Sequence, residues 1–163
     1  MQLPFLFRFR IKRHQILKRI YSMSIMEPQR AFEEMIKIKD HQPKDLYGFY
    51  IRAMFQSDTL NLKKETAMKA IEGVPKKCLM SKSEIKQYQQ LPNIIIIYRG
   101  TNDMEVDPRF SWTLDIEMAK NFYQGALLSA TIEKQQIIAL FSDNTNESEV
   151  LVNLSASQVK QIK

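Results

Sequence analysis

Three polar features stand against apolar β segments in the second half of the chain: Arg99, the pair Ser111/Thr113 and the pair Glu147/Glu149. Arg99 ends the run Ile94-Ile95-Ile96-Ile97-Tyr98 and is followed by Gly100. Consecutive β-branched and aromatic residues read as a strand buried on both faces. A guanidinium at the end of such a strand must meet an anion or a carboxylate, because burying it alone is costly. Residues two apart on a strand share a face. Ser111 and Thr113 therefore project together with Trp112 opposite, and Glu147 and Glu149 project together. Two carboxylates aimed the same way repel unless a cation, a hydroxyl or a ligand separates them. Taken singly, the three features read as a surface ion pair, a common β pair and a solvated strand face. Their order, each where a strand meets a loop, favours a single site built around the cation.

The elements that must position these groups follow from periodicity. From Glu27 to Leu91 the apolar spacing is helical. Ala31, Phe32, Met35 and Ile36 share one face, and Leu46, Phe49, Tyr50, Ala53 and Met54 a second, in a helix opened by Pro43. Ala67, Ala70 and Ile71 turn inward on a third helix closed by Gly73 and Pro75. Ser81-Lys82-Ser83-Glu84 is a capping box for a fourth, ended by Pro92. From Asn93 the period changes. Strands are expected over 94–98, around 110–113, over 127–132 and 136–141 with the polar turn Glu133-Lys134-Gln135 between them, and over 147–152. A short helix capped by Asp115 carries Ile116, Ala119, Phe122 and Tyr123 and ends before Gly125. Residues 155–162 read as a closing helix. The fold class is α+β: a helical lobe over 27–92, then a small mixed β-sheet or β-sandwich core over 93–163, with 27–163 forming one compact domain.

Charge and composition exclude several classes. Formal net charge is +6, and residues 1–20 carry six Lys and Arg with no acid, while the remaining residues balance 18 basic against 18 acidic side chains. The basic pI thus belongs to a leader over residues 1–26, flexible or partner-binding, and not to the body. Three readings of the leader stand: an arm contacting nucleic acid or an acidic partner, a membrane-surface helix, or translation from an upstream start with Met23 or Met26 as the natural one. Its charges interleave with Phe and Leu, the reverse of a secretory signal, and no run is long enough to span a bilayer. Cys78 is the single cysteine, which excludes an intrachain disulfide and suits a reducing compartment. His14 and His41 are the only histidines; a zinc site or a Ser-His-Asp triad would have to draw on one of them, and both are set aside.

Tyr98-Arg99-Gly100, Ser111-Trp112-Thr113 with the helix after it, and Glu147-Ser148-Glu149-Val150-Leu151-Val152 together resemble the mono-ADP-ribosyltransferases of the arginine, serine, glutamate type, the group that includes cholera toxin. The resemblance covers about the last 70 residues. The middle motif departs from the commoner Ser-Thr-Ser, and the twelve positions from Arg99 to Ser111 are few. The resemblance implies cleavage of the bond between nicotinamide and ribose in NAD as co-substrate, with no metal. It implies Arg99, Ser111, Glu147 and Glu149 as the catalytic set. Arg99, Gly100, Ser111, Trp112, Thr113, Phe122 and Tyr123 are its implied NAD-contacting residues.

Positive charge develops on the ribose as that bond breaks, as in glycoside hydrolysis. Glu149 is the carboxylate expected to stabilise it, held by Ser111. Arg99 offers a fork of donors to a phosphate or ribose oxygen, and Phe122, Tyr123 or Trp112 a ring for nicotinamide. In the family the first glutamate, here Glu147, goes with transfer to arginine. The expected protein is a cytoplasmic toxin or host-modifying transferase. Its acceptor is a nitrogen nucleophile, a protein arginine ahead of a nucleic-acid base, and a neutralising protein is its expected partner. A binding module on the same fold and an NAD glycohydrolase are the alternatives.

Overall fold

The computed structural model describes residues 5–56, 62–101, 110–123, 125–143 and 148–163, with side-chain environments from residue 12 onward. The chain divides into two compact units, Met1–Leu79 and Met80–Lys163.

The first unit is helical: α1 (Phe5–Ser24), α2 (Pro28–Ile38), α3 (Lys44–Gln56), α4 (Lys64–Ile71) and the short α5 (Lys76–Leu79). The leader of the sequence is therefore mostly helix α1, packed against α2 and α3. Its inward stripe is Leu17, Ile20 and Ser24, all buried. Burying Leu17 and Ile20 is worth about 3–6 kcal/mol as an upper bound, against roughly 0.2–0.5 kcal/mol for each like-charge pair along the helix. Packing wins over self-repulsion. On α2, Ala31, Phe32 and Met35 are buried as the helical spacing requires. On α3 the buried set is Tyr47, Gly48, Tyr50, Ile51, Met54 and Phe55. Phe49, expected inward, is 60% exposed, and Leu46 and Ala53 are half-buried. Gly48 explains the rotation. A Cβ there would stand 2.4 Å from the Cys78 carbonyl oxygen, so α5 crosses directly over it and fixes which face turns in. Phe55 then meets the Phe32 ring edge-on at 5.0 Å, and the Tyr47 hydroxyl donates to the Ala70 carbonyl at 2.9 Å.

The second unit begins with α6 (Lys82–Gln90), which its capping box starts at Ser81. There follow β1 (Ile94–Thr101), β2 (Ser111–Thr113), α7 (Ile116–Asn121), β3 (Ala126–Glu133), β4 (Ile137–Phe141), β5 (Glu149–Val152) and β6 (Val159–Gln161). The class is α+β, as the sequence implies, with a six-stranded sheet ordered β4-β5-β2-β1-β3-β6. Two expectations are corrected. Every ladder among the described residues is antiparallel rather than mixed. Residues 155–162 form a 3-10 turn and the edge strand β6, because Ser129 and Ala130 of β3 offer Lys160 and Val159 a ladder.

β1 is not buried on both faces either. Ile95 and Ile97 are buried, whereas Ile94 and Ile96 are 58% and 52% exposed. α7 lies over this outer face only at its Gly100 end.

The sheet cannot be flat. β3 and β4 are four ladder steps apart in the strand order, about 19 Å at ~4.8 Å per step. The 3-10 turn Lys134–Gln136 that joins them advances the chain only ~2 Å per residue. The sheet must therefore fold back between its halves, β4-β5-β2 and β1-β3-β6. They meet at one registered pair, Tyr98 with Thr113. Ile97, Trp112, Ala130, Ile132, Ala139, Val150 and Val152, all at most 2% exposed, belong to the core of this unit.

Candidate active site

Three strands carry the chemistry-bearing residues. Thr113 of β2 faces Glu149 of β5, and Ser111 faces Leu151. Backbone bonds run past both ends of this short ladder, from Leu114 N to the Ser148 carbonyl (3.1 Å) and from Val152 N to the Phe110 carbonyl (3.0 Å). Glu149 therefore leaves a fixed backbone. Ser111 lies two residues from Thr113 and so shares the face of Glu149. Its hydroxyl donates to Glu149 Oε1 at 2.6 Å, the length of a charge-assisted O–H···O⁻ bond.

Arg99 reaches the same place from the other side. Tyr98 pairs with Thr113, which puts Tyr98 on the face of Ser111 and Glu149 and Arg99 on the opposite one. The guanidinium nevertheless returns to the junction of the two halves, where Nη1 donates to the Ser111 main-chain carbonyl at 2.6 Å. Cation, peptide carbonyl, hydroxyl and carboxylate are thus linked in series through one residue. Arg99, Ser111 and Glu149 are all half-buried. Ser111 is the hub.

Gly100 has a packing role that its motif does not announce. A Cβ there would stand 2.0 Å from the Ala119 carbonyl oxygen and 2.7 Å from backbone atoms of Phe122 and Tyr123. Only a residue without a side chain lets α7 end directly on β1. That contact sets Phe122 and Tyr123 beside Arg99-Gly100. Phe122 is 56% exposed, and the half-buried Tyr123 ring carries Lys163 Nζ at 5.5 Å from its centre.

Thr113 and Trp112 are held by the fold. Thr113 is buried, and its Oγ1 accepts from Asp115 N (3.1 Å), while Asp115 Oδ1 accepts from Glu117 N (2.8 Å). Together they start α7. Trp112 is 2% exposed and projects to the face opposite Ser111, against Val150 in register. It packs the core. Glu147 and the polar loop 102–109 lie outside the described residues. Tyr98, half-buried on the face of Ser111 and Glu149, had no assigned role from sequence. Only strand pairing reveals it, and one sequence does not state which strands pair.

Among the described residues no group of three or more His, Cys, Asp or Glu is gathered to hold a metal, and no helix is long and apolar enough to cross a membrane. The arrangement offers an oriented carboxylate, a guanidinium tied to the main chain of the same serine, and the Phe122 and Tyr123 rings at the end of α7. No family model, no curated protein and no solved structure matches the chain.

Proposed function

We propose that the chain is an NAD-dependent mono-ADP-ribosyltransferase transferring ADP-ribose to a nitrogen nucleophile. One observation carries this reading: the unbroken series from the Arg99 guanidinium through Ser111 to Glu149, whose two bonds span 12 and 38 positions of the chain. A serine whose carbonyl takes the cation and whose hydroxyl takes the carboxylate fixes both charges relative to one another. A dinucleotide that presents phosphates and a ribose to one place needs that pairing of fixed charges.

In the proposed reaction the C–N bond between ribose and nicotinamide breaks, and its electron pair leaves with the nicotinamide nitrogen. Glu149 faces the ribose, where its negative charge counters the developing positive charge. Ser111 keeps the carboxylate from turning away. Arg99 holds a phosphate or ribose oxygen through a second edge of its planar fork. Phe122 and Tyr123 supply ring surface beside it. The acceptor nitrogen then bonds to the ribose carbon and gives up a proton. Glu147 remains the proposed group for that proton on the strength of the resemblance.

The test is incubation of the protein with labelled NAD and a cell extract, followed by protease or nuclease digestion of labelled material. Label in macromolecules supports the transferase and names the acceptor class. Free ADP-ribose with no labelled macromolecule would make it a glycohydrolase. NAD left intact would leave a binding module on this fold.

A further inference from the structure

The two units carry charge of opposite sign. Residues 1–79 hold sixteen Lys and Arg against eight Asp and Glu, whereas residues 80–163 hold eight against ten. The excess is concentrated on α1, which has six Lys and Arg, one His and no acidic residue. At 100° per residue its described side chains, residues 12–24, fall into two arcs, with half-buried Met23 set between Lys12 and Ile16. Arg13, Leu17, Ile20, Tyr21 and Ser24 occupy the arc turned into the unit, buried or half-buried. His14, Lys18, Ser22, Gln15, Arg19, Lys12 and Ile16 make up the outer arc, and every one of them is exposed. Three cations and three hydrogen-bonding side chains thus face solvent with one isoleucine at the rim.

Ring contacts extend this face onto α3. The His14 ring meets Tyr50 edge-on at 5.5 Å, within 3.3 Å of its hydroxyl, and Tyr50 meets Phe49 at 5.4 Å and 89°. Tyr50 is itself buried, but Phe49 is 60% exposed, so one aromatic ring stands in water on this side of the unit. A membrane-surface helix needs its apolar stripe free to enter lipid. Among the described side chains of α1, Leu17 and Ile20 are already buried against α2 and α3, and the exposed ones are polar but for Ile16. A cationic track flanked by an open ring is instead the surface that holds a phosphate backbone and stacks an unpaired base.

We infer that the helical unit binds single-stranded nucleic acid, with Lys12, Lys18 and Arg19 on the phosphates and Phe49 stacked on a base. This does not depend on the NAD reading, since binding is measured without NAD. The experiment uses the full chain with a fluorescent 20-nucleotide single strand, followed by anisotropy from low to moderate salt. The Lys12→Glu/Lys18→Glu/Arg19→Glu variant should bind at least tenfold more weakly, with a shallower dependence on salt. Phe49→Ala should lose roughly tenfold in affinity with the salt dependence unchanged. The duplex of the same sequence should bind more weakly than the strand. Circular dichroism of each variant checks that the total helix content is unchanged. The inference is overturned by equal binding of wild type and the triple variant. It is also overturned by equal binding of poly-glutamate with Phe49→Ala silent, or by binding to phosphatidylserine vesicles but not to the oligonucleotide.

Discussion

Two glutamates meet the β4–β5 connection from different sides, Glu84 of α6 at its start and Glu149 of β5 at its end, and they are held in contrary ways. Glu84, three residues past the α6 cap, is fully buried. Its Oε2 accepts from Ser81 N at 2.7 Å, and its Oε1 accepts from Ser142 N at 2.9 Å and Asp143 N at 3.3 Å. Glu149, at the first position of β5, is half-buried, and its Oε1 accepts a hydroxyl from Ser111. Main-chain amides belong to the fold and can only hold. A side-chain hydroxyl orients a carboxylate while leaving it within reach of solvent. A buried carboxylate is thus no sign of chemistry in itself; Glu84 receives main-chain amides that it ties together, and Glu149 is the one proposed to act.

The comparison is broken most decisively at Glu149. Glu149→Gln keeps an oxygen for the Ser111 hydroxyl and removes the charge, so NAD turnover should fall 10²–10³-fold while the melting temperature stays within a degree or two. A large loss of stability with activity intact would reverse the assignment. Glu84→Gln should do the opposite. An amide nitrogen must then face backbone donors, a loss of about 2–4 kcal/mol in unfolding free energy, read by urea titration. Gly100→Ala sharpens the contrast by striking both properties. Its Cβ collides with the end of α7, which costs about 1–3 kcal/mol, and steady-state kinetics should show a raised KM for NAD as Phe122 and Tyr123 move. Ser111→Ala should lower turnover roughly tenfold and leave the fold in place.

The smallest effect extends the comparison to the helical unit. Burial raises the Tyr47 phenol above its ordinary range, with Asp40 adding to the rise. The unfolded chain therefore loses that proton first. Its contribution to stability is complete below the ordinary tyrosine pKa of about 10 and fades as pH climbs past it. Tyr47→Phe should lose about 1 kcal/mol at neutral pH, with the Ala70 hydrogen bond gone, and show a flatter fall above pH 10 in thermal melts.

What could be seen in the sequence was local. The Ser81 capping box, the Asp115 cap and the period change at Asn93 each depend on residues within a few positions, and each stands in the structure. What could not be seen depends on partners. Phe49 fits an apolar helical face by spacing, but Gly48 and α5 decide which way α3 turns. The exposure of Ile94 and Ile96 follows from how little of β1 is covered by α7. Residues 155–162 carry a helical pattern, yet the open edge of β3 takes three of them as a strand. At the site, Ser111 and Glu149 could be chosen by type, but the Arg99 bond goes to a peptide carbonyl, and no side-chain motif records that.

The 38 positions between Ser111 and Glu149 have a consequence for the order of folding. β1 and β3 can zip together once residue 133 has been made, whereas β2, three residues long and joined to β1 at one pair, waits for β5. Closing that longer loop comes late in folding. Until β5 pairs with β2, the Ser111 hydroxyl has no carboxylate to hold, so the proposed site is completed only at a late step in the folding of this unit.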